Sequence, residues 1–200
     1  FSSRGLGDVY KRQGDIQISG SQTLSTSQWY HIAVTYDGSS NVSGMKLYVN
    51  GIEDTSTTAS GTTITGSIQN VEPPRIGVRD KNGSSPDPRY FFDGSLSNVS
   101  IWNSALTSSQ VREIYNEGLP GNLNSHSAYS NLVSWWQLGE NSSYVSGWTF
   151  VNEKGTNNGT GNGLAETALV NGVGTTANGT SSGMAVGALV GDAPYSTANA

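Results

Sequence analysis

From Gly14 onward, apolar and polar residues alternate with a period of two, the repeat of a strand that lays one face on a core. Ile16 and Ile18 begin it, and the run from Gln28 to Tyr36 puts Tyr30, Ile32, Val34 and Tyr36 on one face before a turn at Asp37-Gly38. This run predicts a half-buried strand. Met45 to Val49 alternates again and ends in Asn50-Gly51, the dipeptide best able to take the positive φ angles of a tight hairpin, so residues 45–56 are expected to be a hairpin. After a Ser/Thr/Gly-rich stretch, Pro73 to Val78 reads as a short strand with a proline-protected start, residues 79–90 as a charged loop, and Phe91 to Trp102 as strand once more.

One helix is written clearly. Thr107 is an N-cap, Gln110 stands three residues on as in a capping box, and Leu106 and Val111 occupy the staple positions. The helix is expected over 108–117, closed by Gly118, with Val111, Ile114 and Tyr115 turned inward and Arg112, Glu113 and Glu117 in water. Residues 121–131 read as a polar linker, and Leu132 to Leu138 as a further apolar strand. From 161 to 200 the composition thins to a low-complexity tail with little apolar area to offset the entropy of ordering, and weak order is expected there. Gly163 to Val170 nevertheless recurs as Gly183 to Val190, a period of about 20 residues of the kind that stacked units show.

Composition narrows the function classes. Charged residues make up 12% of the 200, the formal net charge is -5, and no Lys/Arg cluster is present. A basic footprint for nucleic acid or an anionic membrane surface is therefore missing. There is no Cys, which excludes disulfides and thiolate metal sites but does not fix a compartment. No apolar run approaches the roughly 18 residues of a spanning helix. Residues 1–13 match nothing downstream and read as an adapter-derived junction, and the chain, which begins with Phe1, as part of a longer polypeptide.

Taken in order, Trp29-Tyr30-His31-Ile32-Ala33-Val34-Thr35-Tyr36-Asp37-Gly38, Lys46-Leu47-Tyr48-Val49-Asn50-Gly51, Arg75-Ile76-Gly77, and Phe92-Asp93-Gly94-Ser95-Leu96-Ser97-Asn98-Val99-Ser100-Ile101-Trp102 with the helix after it resemble the laminin G-like, concanavalin A-like jelly-roll family, and pentraxins more distantly. The resemblance covers 14–118 as the later half of a domain. Trp135-Trp136-Gln137-Leu138-Gly139-Glu140 and Asn152-Glu153-Lys154-Gly155-Thr156-Asn157-Asn158-Gly159-Thr160 look like the start of a second such module over 132–160. The arrangement is similar to tandem modules of marine phage structural proteins and bacterial surface proteins. It implies a mainly β fold, a partial antiparallel β-sandwich (jelly roll) over 14–120 with one short helix, in an extracellular, cell-surface or virion protein.

The expected function is non-catalytic binding of a glycan or a cell-surface protein, with loops 37–44 and 79–90 as recognition edges and Asp37, Asn41, Tyr48 and Tyr90 as ligand-binding residues. Tyr48 is chosen because it points opposite Leu47 and Val49; Trp29 and Trp102 are further aromatic candidates. A structural spacer element without ligand is the first alternative, and a glycoside hydrolase the second. The hydrolase needs paired carboxylates on one strand face, and no strand offers them. Glu53 and Asp54 are adjacent and so face opposite ways. His31, mid-strand, reads as structural, and His126 as solvent-exposed in the linker. Calcium, a hard cation that takes scattered oxygen ligands, is the cofactor considered, with Asp80, Asn82 and Asp87 as the candidate ligands.

Overall fold

The structure, a computed structural model, describes residues 16–61, 63–64, 74–80, 88–170 and 188–190, except for the side chains of 58, 79–80, 88–90, 169–170 and 188–190. Strands β1 (Ile16–Ser19), β2 (Ile32–Tyr36), β3 (Met45–Val49), β4 (Ile52–Glu53), β5 (Thr58–Gly61), β6 (Val78–Asp80), β7 (Pro88–Phe91), β8 (Ser95–Leu96) and β9 (Val99–Trp102) precede helix α1 (Ser108–Tyr115). After it come β10 (Leu132–Trp136), β11 (Ser143–Tyr144), β12 (Trp148–Phe150), β13 (Gly159–Thr160), β14 (Leu169–Val170) and β15 (Ala188–Val190). The protein is mainly β, and every strand pairing among the described residues is antiparallel.

β2, β3 and β4 form one sheet, with Ile32 opposite Val49, Ala33 opposite Tyr48 and Val34 opposite Leu47. The hairpin forms at Asn50-Gly51, whose φ angles of 50° and 74° are those the dipeptide was expected to take. The buried face is the other one from that expected. Ile32 and Val34 are 48% and 55% exposed, whereas Thr35 is buried and Ala33 packs on the core. Helix α1 decides this: Leu106 and Val111 cover the face that carries Tyr48, and the small Ala33 opposite Tyr48 leaves room for its ring.

The capping box forms as read. Gln110 N–H donates to Thr107 Oγ1 (3.3 Å), and the Gln110 side chain accepts from Thr107 N–H (2.9 Å). The helix ends at Tyr115, two residues short of the expected 117, because Asn116, Glu117 and Gly118 all take positive φ and continue as a short 3-10 turn. Val111 is fully buried, with Ile114 beside it. The charged segment 79–90 is not all loop. Val78–Asp80 and Pro88–Phe91 pair as β6 and β7, with Val78 opposite Phe91 and Arg79 opposite Tyr90.

Residues 121–131, expected as a linker, are packed. Leu123, His126 and Ala128 are buried, and 3-10 turns at 123–125 and 129–131 lead directly into β10. β10 then pairs with β9, Trp136 opposite Val99 and Trp135 opposite Ser100, with a bulge at Val133 between the paired Leu132 and Ser134. Two of the three buried clusters span this join. One brings Leu123, Leu132 and Trp135 against Trp102 and Ile114; the other brings Trp136, Leu138, Trp148 and Phe150 against Leu96 and Val99. Trp102 and Ile114 also touch the Tyr48 cluster, so the apolar contacts run continuously from β3 to β10.

In the tail, β14 and β15 pair with Leu169 opposite Leu189, equivalent positions of the two copies of the 20-residue repeat, and β15 pairs onward with β8. Residues 171–187 and 191–200, where weak order was expected, lie outside the described residues, as do residues 1–15.

Candidate functional site

Of the two expected recognition edges, the structure describes the whole of one, the β2–β3 connection at residues 37–44. Its two ends are tied together, since Asp37 N–H donates to Gly44 C=O (3.1 Å) and Gly44 N–H to Asn41 C=O (3.1 Å). Within the loop, Ser39 N–H donates to Asp37 Oδ1 (2.8 Å), the Asn41 side chain donates to Ser39 C=O (3.0 Å), and Ser40 N–H donates to the Tyr36 hydroxyl (2.6 Å). Ile64 N–H reaches Ser40 C=O (3.0 Å) and fastens the loop to the neighbouring segment. A Cβ at position 44 would fall on the Asp37 carboxyl, so the glycine is what lets that carboxylate lie across the mouth of the loop.

Asp37 and Asn41 are both exposed. The Ser39 hydroxyl, and after it the Ser39 backbone N–H, hold the Asp37 carboxyl below the ordinary carboxylate range, so it is an anion at neutral pH. The loop therefore presents a fixed carboxylate and a carboxamide on a short, internally bonded frame, which is the kind of polar pair that orients a hydroxyl-rich or peptide ligand.

Tyr48 does not join them. It has no exposed surface; its ring lies in the core with Leu106, Val111 and Ala128, and its hydroxyl is 3.2 Å from Ser108 Oγ. The alternation on the hairpin was right, but both faces at β3 are occupied, and helix α1 covers the one expected to be open. Trp102 is half-buried against His126, ring centroids 4.7 Å apart, and serves the core. Tyr90 lies in β7, and its side chain is outside the described residues. Of the expected calcium ligands, Asp80 ends β6 with its side chain not described, and Asn82 and Asp87 lie outside the described residues. Among the described residues no cluster of three or more His, Asp or Glu is arranged to hold a metal ion.

His126 is a correction. It is buried, not in solvent: Ala128 N–H donates to its Nδ1 (3.0 Å), which makes Nε2 the protonated nitrogen, and Nε2 is 3.0 Å from Gln110 C=O. The ring thus bonds segment 121–131 to helix α1. Glu113, read as a wet helix position, accepts from Ser127 N–H and its hydroxyl across the same join, and those bonds hold its pKa down, the Ser127 hydroxyl first.

A second polar arrangement went unread in the sequence. Asn152 is buried, and its Oδ1 accepts from the backbone N–H groups of Trp135 (3.0 Å), Gly155 (3.1 Å) and Lys154 (3.2 Å), while its Nδ2 donates to Ser134 Oγ (3.1 Å). The signal was present: an Asn two and three residues ahead of amides that its own side chain can reach, with Gly155 to close the turn. Beside it, Glu140 has its pKa raised by burial and then by the nearby Glu153 carboxylate.

With the geometry in place, the comparisons give the class. A laminin G family model, described as the concanavalin A-like lectin/glucanases superfamily, matches residues 5–112, just over half of the chain. The chain belongs to that family, and the antiparallel strands and the one short α-helix among the described residues fit its jelly roll. The match begins inside the segment 1–13 that composition set apart. No curated protein and no solved structure matches the chain. The family makes this a binding module in general terms, and no helix among the described residues is long and apolar enough to cross a membrane.

Proposed function

We propose that the module recognises a glycan or a cell-surface protein, without catalysis, in an extracellular, cell-surface or virion protein. The observation that carries this reading is loop 37–44, in which exposed Asp37 and Asn41 stand on a frame whose own hydrogen bonds are already made. A preorganised loop loses little conformational freedom when a ligand binds, so weak polar contacts suffice. Three of the carboxylates that the structure describes are taken up in structural bonds, which supports a non-catalytic reading: Asp54 is engaged by Ser21 and Ser56, Glu53 pairs with Lys46 and Glu113 with Ser127.

The test is a glycan array probed with the full chain, once with calcium and once with a chelator, beside the Asn41→Ala variant. Binding that the variant loses while its fold is unchanged supports the proposal, and a chelator-sensitive signal would show that the recognition requires calcium. Absence of binding under both conditions removes the carbohydrate reading and leaves protein recognition or the spacer role. Sugar released from a polysaccharide would overturn the non-catalytic assignment.

A further inference from the structure

Three Asn-Gly pairs fall wholly within the described residues, and the structure treats them differently. In such a pair the glycine, lacking a Cβ, lets its backbone nitrogen approach the preceding side-chain carboxamide. Asn50-Gly51 is locked. Asn50 Oδ1 accepts from His31 N–H (3.0 Å), its own N–H donates to His31 C=O (2.8 Å), and Gly51 is buried under the Tyr115 ring, 2.9 Å from where a Cβ would stand. Asn158-Gly159 is half held: Asn158 Oδ1 accepts from Asn152 N–H (3.0 Å), and Gly159 is paired in β13 opposite Phe150. Asn162-Gly163 is open. Asn162 is exposed, and Gly163 sits at φ 71° with nothing within 4 Å of a Cβ position.

We propose that Asn162 is a site of spontaneous deamidation and backbone isomerisation in the folded protein. The Gly163 amide nitrogen bonds to the Asn162 side-chain carbonyl carbon and gives up its proton, and the side-chain nitrogen leaves as ammonia. The resulting five-membered cyclic imide takes up water at either carbonyl, giving an aspartyl or an isoaspartyl residue. No oxidant, metal or enzyme enters. The isoaspartyl product adds a methylene to the backbone between two anchors on one tryptophan: Gly161 N–H donates to Trp148 C=O (2.9 Å), and the Trp148 indole N–H donates to Ala165 C=O (2.7 Å). It also adds a negative charge.

The test is incubation of the full chain at mildly alkaline pH and 37 °C, followed by peptide mapping with fragmentation that assigns each position, beside a parallel incubation in concentrated urea. In the folded protein Asn162 is expected to convert about tenfold faster than Asn50, whose reaction must first break the His31 bonds, with Asn158 between them. In urea the three rates converge. The Asn162→Gln variant, changed at an exposed position, keeps its fold and loses conversion at 162 alone. Conversion at Asn50 or Asn158 as fast as at Asn162 in the folded protein overturns the proposal, and so does a ranking in urea identical to that in buffer.

Discussion

Replacing Trp135 by alanine tests whether the chain on either side of residues 121–131 is one cooperative unit. The side chain is 2% exposed, packs with Leu123 and Leu132 against Trp102 and Ile114, and donates its indole N–H to Asn98 Oδ1 at 3.3 Å. Removing a buried aromatic of this size costs about 3–5 kcal/mol, of which the lost hydrogen bond supplies about 1. For a domain of this length that lowers the midpoint of thermal unfolding by roughly 10 °C. The decisive feature is where the loss is felt. Trp102 and Ile114 touch both the Trp135 cluster and the Tyr48 cluster, so a cavity at 135 weakens β2 and β3 as well. Hydrogen exchange followed by mass spectrometry is the assay, and protection in peptides covering 45–49 is expected to fall in step with that over 132–136. Because the cost of alanine is a large part of a typical domain's stability, Trp135→Phe serves as the milder case, about 1–2 kcal/mol, with the same shared loss of protection. If only 132–160 loosens while 45–49 keeps its protection, the two halves are independent and the continuity argued from the clusters is wrong.

Four further outcomes follow from single contacts. Asn152→Ala leaves the Trp135 amide and its neighbours without an acceptor and should cost about 2–4 kcal/mol in urea unfolding; a loss below half a kcal/mol would mean that water replaces the side chain without penalty. Thr107→Ala removes the cap on α1 and should cost about 1 kcal/mol, measured the same way. His31 is half-buried beside Tyr115, and desolvation lowers its pKa, so the unfolded chain takes up a proton first. Its contribution to stability is full above the ordinary imidazole range and is lost as the pH falls through the lowered folded value, so the difference between wild type and His31→Gln, followed by melting temperature against pH, should shrink on acidification. Glu140 has the opposite sign for a carboxylate: burial and Glu153 raise its pKa, so its ionised form opposes folding at neutral pH, and Glu140→Gln should stabilise there, with the gain vanishing below the ordinary carboxylate range.

Local chemistry was legible in the sequence where short-range rules act alone. The capping box at Thr107 and Gln110 and the positive-φ hairpin at Asn50-Gly51 formed as read, because each is decided within four residues. The inward face of β2 was not legible: period two gives two faces, and the choice between Ile32/Val34 and Ala33/Thr35 was made by α1, more than 70 residues away in sequence. The same long-range decision misplaced Tyr48, whose polar end and outward alternation suggested a platform, while the helix that buries it supplies Ser108 to its hydroxyl. His126 shows the converse, a polar residue in polar company that was read as solvent-exposed and that the fold buries to bond segment 121–131 to the helix, while Glu113 stays exposed as read and adds its bonds to Ser127 across the same join. Asp37 and Asn41, by contrast, sit where a turn signal and strand ends placed them, because the bonds that set their positions are made within the loop, while Ile64 N–H only adds a tie to Ser40 C=O from outside. A loop built this way can change residues at 39–43 without disturbing the core, provided Gly44 and the Asp37 to Gly44 bond are kept.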